Sequence, residues 1–155
     1  MKINIPGYKN LNIDKIIFDY NGTLAVNGKI DSSTKNKLIE LSKNYEIYIL
    51  TSDTYGTVEK ICENLPVKIH TFKGDKASAS KKDIVLKLNP NSCACIGNGR
   101  NDMEMLEVAA LSIGIIGKEG AYGKIVNISD ICVTSILDAM DLFIYTDRLI
   151  ADLRG

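Results

Sequence analysis

A chain of 155 residues, 45% of them hydrophobic, can bury one core and is too short for a second full-sized domain. Its 19 basic and 19 acidic residues cancel, which argues against an electrostatic grip on nucleic acid or acidic lipid. No basic stretch leading into a long apolar run opens the chain, so a cytoplasmic protein with no nucleic-acid and no membrane partner is expected.

In chain order, Lys15 to Tyr20 is a short apolar run with strand character, followed by Asn21-Gly22 and a small hairpin through Asn27-Gly28. Ser32 or Ser33 can cap a helix that carries Leu38, Ile39 and Leu41 on one face and ends near Asn44. Tyr45 to Leu50 is rich in β-branched and aromatic residues and predicts a second buried strand. A short helix near Thr57 to Asn64 and a strand at Val67 to Phe72 follow. Lys81 to Leu88 has helical spacing closed by Asn89-Pro90. Ser92 to Ile96 is a strand, Asp102 to Ala110 a helix and Leu111 to Ile116 another strand. A helix around Ala121 to Val126, a strand at Ile131 to Val133, a helix from Ile136 to Ile144 and a last turn or two within Arg148 to Arg154 complete the chain. Strands separated by helical segments predict an α/β, doubly wound, mostly parallel Rossmann-like sheet with helices on both faces.

Four cysteines allow two disulfides on paper. Cys62 falls in a helical pattern, and Cys93, Cys95 and Cys132 fall in strands. Cys93-Ala94-Cys95 puts two sulfurs on one strand face without zinc-knuckle or redox spacing, so buried free thiols are expected. The single His70 supports neither a metal site nor a triad.

Ligands of such a sheet bind beyond the carboxyl ends of the strands. Asp19 and Asn21-Gly22-Thr23 follow the first apolar run, Thr51-Ser52-Asp53 follow the second, and Gly97-Asn98-Gly99-Arg100-Asn101-Asp102 follow the fourth. The pair Lys81-Lys82 precedes the fourth. An acid, a hydroxyl, a lysine and a polar glycine loop aimed at one sheet end suit phosphoryl transfer, which needs a held nucleophile and positive or N–H groups around the phosphate oxygens. A nucleophilic aspartate divides one hard displacement into two, and Mg²⁺, which prefers oxygen ligands, offsets the repulsion between carboxylate and phosphate.

Asp19-Tyr20-Asn21-Gly22-Thr23-Leu24 resembles the first motif of the haloacid dehalogenase-like (HAD) phosphohydrolases. Leu50-Thr51-Ser52-Asp53 resembles their second, Lys81 with Ile84-Val85 their third, and Gly97-Asn98-Gly99-x-Asn101-Asp102 their fourth. The Thr-x-Asp, the glycine loop and Ala109-Ala110-Leu111-x-Ile113-Gly114-Ile115 are similar to the phosphorylation domain of P-type ATPases, and to small soluble proteins often labelled P-type ATPase-like. The resemblance spans roughly residues 14 to 153.

That resemblance implies Asp19 as nucleophile and Mg²⁺ ligand, with the Asn21 carbonyl and Asn98 as further metal ligands. It implies Gly22, Thr51, Lys81 and Asn101 around the phosphate, and Asp102 at the metal's water shell. Lys82 stands as the alternative to Lys81, because adjacent helix residues point about 100° apart. The chain departs from the family at two positions. Asn21 replaces the usual acid/base aspartate, and an amide cannot transfer the proton whose transfer is typically worth ~10²–10⁴-fold. Asn98 replaces another aspartate and brings no charge to the metal. The intervals from Asp19 to Thr51 and from Thr51 to Lys81 leave no room for the family's cap domain, so an open site is expected. Its substrate specificity would come from a macromolecule or a neighbouring subunit. The apolar stretch from Ile136 to Leu153 either packs on the sheet or supports a homo-oligomer.

The expected activity is therefore a slow Mg²⁺-dependent phosphatase acting on a phosphorylated substrate through phospho-Asp19. The alternatives are a phosphate- or partner-binding protein that keeps the HAD fold with attenuated catalysis, and a flavodoxin-like receiver or binding module. The last leaves the joint occurrence of Thr51, Lys81 and the Gly97–Asp102 loop unexplained.

Overall fold

A computed structural model describes residues 1–53, 55–73 and 76–155. The chain opens with an antiparallel hairpin, β1 (Lys2–Ile5) and β2 (Lys9–Asn12), which pairs Ile3 with Leu11 across a turn holding Gly7 at φ +77°. The sequence pattern did not predict it. Its strands have four residues each, and Asn4, Lys9, Asn10 and Asn12 dilute the apolar alternation that marks a strand.

Six parallel strands follow: β3 (Lys15–Asp19), β4 (Glu46–Thr51), β5 (Lys68–Thr71), β6 (Cys93–Gly97), β7 (Leu111–Ile115) and β8 (Ile131–Val133). Their order across the sheet is β5-β4-β3-β6-β7-β8, with every pairing parallel. The helices are α1 (Ser32–Leu41), α2 (Thr57–Ile61), α3 (Ala77–Lys87), α4 (Met103–Val108), α5 (Ile125–Ile128), α6 (Ile136–Asp141) and α7 (Thr146–Leu153). Residue alternation along the strands sorts the apolar side chains onto two faces. Ile16, Phe18, Ile47, Ile49, Ala94 and Ile96 meet residues from α1, α2, α6 and α7. Ile17, Leu50, Cys93 and Cys95 meet α3, α4 and α5. This is the expected doubly wound α/β sheet. Each fully buried Ile, Leu or Phe contributes about 1.5–3 kcal/mol relative to exposure, so these two faces are the main source of stability.

Several boundaries differ from the pattern. The cap of α1 is Asp31, whose Oδ1 accepts from Thr34 N at 2.7 Å, rather than Ser32 or Ser33; a carboxylate beats a hydroxyl one residue further in, and the helix stops at Leu41 instead of Asn44. Helix α3 begins at Ala77, ahead of Lys81, because Ala77-Ser78-Ala79-Ser80 lacks the apolar periodicity that signals a helix while still being able to form one. Only Ile125–Ile128 is helical in the stretch expected to be a helix from Ala121. Its close approach is permitted by Gly114 on β7, where a Cβ would lie 2.6 Å from Ile125 Cγ2. The small hairpin is present, with a Val26–Lys29 bridge and positive φ at Asn27 (51°) and Gly28 (72°). The cysteines are free: Cys62, Cys93 and Cys95 are buried, whereas Cys132 is half-buried because β8 is an edge strand. No described helix is long and apolar enough to cross a membrane.

Candidate active site

The sheet order reverses direction at β3. From it the chain moves outward to β4 and β5, and then crosses to β6 on the other side before continuing to β7 and β8. A crevice opens between strands whose connections leave in opposite directions, and here it lies at the carboxyl ends of β3 and β6. Phe18 pairs with Ile96 and Asp19 with Leu50, so Asp19, Thr51 and Gly97 arrive at the same edge.

Lys81 enters this edge from α3. It is 1% exposed, and its Nζ lies 2.5 Å from Asp19 Oδ1 and 2.5 Å from Asp102 Oδ1. The Phe72 ring sits 5.8 Å from the same nitrogen, a cation–π neighbour that the sequence left unmarked. Lys82 turns away to Glu104, at 3.4 Å, on the surface. Of the two lysines, Lys81 is the one at the site.

Two buried carboxylates and one ammonium leave an excess negative charge. Burial, together with the facing Asp102, pushes the Asp19 carboxyl up to about 7, against the opposing pull of Lys81. Burial also acts to lower the Lys81 ammonium, but Asp19 and Asp102 more than offset it, so Lys81 lies above its ordinary range and stays charged. A bound cation would relieve the excess.

The glycine loop is arranged around Asp102, which is fully buried. Its Oδ2 accepts from Asn98 N at 3.0 Å and Gly99 N at 2.8 Å, while its Oδ1 takes Lys81. Gly97 must be glycine here, since a Cβ would stand 2.6 Å from Asp102 Cγ. Asp102 thus ties loop and lysine together through both oxygens, a function that its expected place near a metal's water shell did not reveal. Asn98 Oδ1 accepts from Thr23 Oγ1 at 3.2 Å, and its Nδ2 donates to the Gly120 carbonyl at 3.2 Å. The amide oxygen has two lone pairs, so the Thr23 bond leaves one for a ligand.

The other expected residues are placed less directly. Thr51 is buried, and its Oγ1 accepts from Asp53 N at 3.1 Å. The Asp53 carboxylate in turn takes Tyr55 N and Val58 N, at 2.9 and 2.8 Å, and fixes the chain where it leaves β4. The Gly22 amide, expected to face phosphate, instead donates to Ala25 O at 2.9 Å, because the turn after β3 closes on itself. Asn21 is exposed beside it. Asn101 is exposed, with its Oδ1 folded over Gly99, and makes no hydrogen bond to Asp19, Lys81 or Asp102. No group of three or more His, Cys, Asp or Glu side chains gathers among the described residues. The oxygens left for a cation are Asp19 Oδ2, which takes no bond from Lys81, and the Asn98 amide oxygen, with the Asn21 carbonyl as the expected third. That hard, oxygen-only set around a surplus charge fits Mg²⁺.

A parallel sheet with Asp19 at the end of the switch-point strand, and with no cap domain among the described residues of either interval, has the fold of the HAD-like core. Solved structures agree on that fold. The 3-deoxy-D-manno-octulosonate 8-phosphate phosphatase of Moraxella catarrhalis, in complex with magnesium ion, phosphate ion and KDO, superposes with a TM-score of 0.68 at 17% identity, over 92% of this chain and 94% of that one. The cobalt-bound form of the corresponding phosphatase of Haemophilus influenzae gives a TM-score of 0.69 at 14% identity, over 86% and 88%. A Streptomyces avermitilis chain described as a HAD family hydrolase gives 0.63 at 17% identity, over 79% and 76%. No family model matches the sequence. Uncharacterized protein MJ0073 of Methanocaldococcus jannaschii is 48% identical over 69 residues, 44% of this chain and 74% of that protein, and the chain belongs to its family. A segment of 65 residues, 42% of this chain, is 29% identical to the Phospholipid-transporting ATPase NEO1 of Saccharomyces cerevisiae, but spans only 6% of that protein.

Proposed function

We propose that this chain is a Mg²⁺-dependent phosphatase that works through a phosphoryl-aspartate at Asp19 and turns over slowly. The observation that carries this reading is the buried Lys81 bridge between Asp19 and Asp102 at the topological switch point. The phosphatase structures that share the fold, with magnesium or cobalt bound, support it.

In the proposed reaction an Asp19 carboxylate oxygen attacks phosphorus, and the bond from phosphorus to the leaving oxygen breaks. Lys81 holds the nucleophile and neutralises charge on the phosphoryl group, with Thr51 and Asn101 as candidate donors to its oxygens. Mg²⁺, held by Asp19, the Asn21 carbonyl and Asn98, would supply charge neutralisation. The leaving oxygen needs a proton, and water must lose one to attack phospho-Asp19 in the second half. Asn21 can do neither, so good leaving groups react first and the phospho-enzyme is long-lived.

The test uses an aryl phosphate with Mg²⁺ and three proteins: wild type, Asp19→Asn and Asn21→Asp. Weak turnover in wild type, none in Asp19→Asn and about a hundredfold gain in Asn21→Asp are expected. Equal background in all three sinks the enzyme reading. It would leave the second one, a phosphate- or partner-binding protein, which the amides at Asn21 and Asn98 favour.

A further inference from the structure

Beside the phosphoryl site lies a groove of about 640 Å³. Ala77 and Ser78 at the start of α3 form one wall, Arg100, Asn101, Met103 and Glu104 the second, and Tyr122 with Lys124 the third. The groove shares two elements with the site already described. Asn101 directly precedes the buried Asp102 in the glycine loop, and Ser78 lies one helical turn before Lys81. Its third wall is fastened to the glycine loop by the hydrogen bond from Tyr122 N to Asn98 O, at 2.8 Å.

The charges in the groove are unevenly used. Glu104, the acid among the lining residues, is occupied by Ser78 Oγ at 2.9 Å and Lys82 Nζ at 3.4 Å. Arg100 and Lys124 are exposed, and neither forms an ion pair among the described residues. Arg100 also belongs to the glycine loop, so its guanidinium starts from the segment that Asp102 ties to Lys81. Two cations with no ion pair among the described residues, in a groove also lined by Met103, Ala77 and Tyr122, describe a receptor for an anionic group on a small organic body.

We propose that this groove seats the leaving group, and that Arg100 and Lys124 select phosphate esters carrying a second anionic group, a carboxylate or a further phosphate. The proposal rests on the phosphatase reading and names its substrate class. Substrates with a neutral leaving group engage only the phosphoryl site, while those with a second anion also engage the two cations. Two exposed ion pairs together give roughly a three- to tenfold preference.

The experiment measures equilibrium binding, with Mg²⁺ present, to the full chain carrying Asp19→Asn, which removes turnover from the readout. Two matched pairs are compared. 3-Phosphoglycerate against glycerol 3-phosphate isolates an added carboxylate, and fructose 1,6-bisphosphate against fructose 6-phosphate isolates an added phosphate. A three- to tenfold preference for the doubly anionic member of at least one pair is expected, and the pair that shows it tells carboxylate from phosphate. Adding Arg100→Gln and Lys124→Gln should abolish the preference and leave glycerol 3-phosphate binding unchanged. Glu104→Gln should keep or enlarge it. Equal affinity within both pairs, or a preference that survives the double substitution, overturns the proposal. If wild type turns over aryl phosphate while neither pair shows a preference, the groove assignment fails alone. If no phosphate ester binds and no aryl phosphate is turned over, both readings fail.

Discussion

Among the described residues, Lys81 is the one buried ammonium held between two carboxylates. Its ammonium is buried with two carboxylates, and removing one partner of such a cluster leaves uncompensated charge in a poorly solvated place. Lys81→Met should therefore lower stability by about 3–5 kcal/mol in urea unfolding without added metal. The same substitution should abolish aryl phosphate turnover. Gly22 makes a steric counterpart. Its φ is +77°, and an added Cβ would approach Asn98 Nδ2 to 2.4 Å. Gly22→Ala should cost at least ~1 kcal/mol, measured by the same unfolding midpoint, and should disturb Asn98 as well. At this scale much of the site was legible in advance. Asp19, Thr51 and the Gly97–Asp102 loop stand at strand ends, where position in the chain already implies position in the fold. The choice between Lys81 and Lys82 was not legible, because helix phase relative to the sheet comes from packing. The inward turn of Lys81 follows from Val85, one turn further on, being buried against Ile17 and Cys95.

Among the elements, the opening hairpin buries Ile5 and Leu11 in the core and is tied to the sheet by one aspartate. Asp130, just before β8, accepts from Tyr8 Oη, from Lys9 Nζ at 3.0 Å and from Ser112 N at 2.8 Å, which joins β1–β2 to β7. Burial acts to raise its carboxyl, but the Tyr8, Ser112 and Lys9 contacts overcome that and hold it below the usual carboxylate range. A group whose folded-state value is depressed stabilises the fold above its unfolded-state value. That contribution is lost as the pH falls through the folded-state value. Asp130→Asn should therefore cost about 1–3 kcal/mol at neutral pH, and the difference from wild type should vanish under acid conditions below the carboxylate range. Unfolding midpoints measured from pH 7 down to pH 2 check this; a difference that stays constant with pH would contradict the role of the charge. The hairpin escaped the sequence pattern because its strands are short and polar, and because what holds it lies more than a hundred residues away. A window of neighbouring residues contains no trace of such a contact. The strands of the main sheet other than the edge strand β5, by contrast, are mostly apolar runs, and each was visible in its own segment.

Across the whole molecule, a doubly wound sheet gathers three strand-end segments and the lysine of α3 at one edge, and a cation bound there would join elements from both halves of the sheet. Anything that binds the folded chain alone stabilises it by mass action, by about 2.7 kcal/mol at a concentration one hundred times Kd. Mg²⁺ should accordingly raise the melting temperature in a concentration-dependent way. Asn98→Asp, by adding a charged oxygen ligand, should shift that response to lower Mg²⁺, and Asp19→Asn should shift it to higher Mg²⁺. A thermal melt with graded Mg²⁺ and a chelator control provides the measurement. Melting that ignores Mg²⁺ in all three proteins would argue against the proposed ligand set.

By itself the amino-acid order determined the alternation of strands and helices, the residues at the strand ends, and the amides at positions 21 and 98, where the motifs it resembles carry acids. These are local properties, set by hydrophobic period and residue chemistry. Only the tertiary structure decided which lysine faces Asp19 and that Asp102 serves the loop and the lysine together. It also turned the Gly22 amide onto Ala25, and opened a groove carrying Arg100 and Lys124 beside the Asp19–Lys81–Asp102 cluster. Each of these depends on how the helices and loops are set against the sheet, and that is fixed by contacts between residues far apart in the chain.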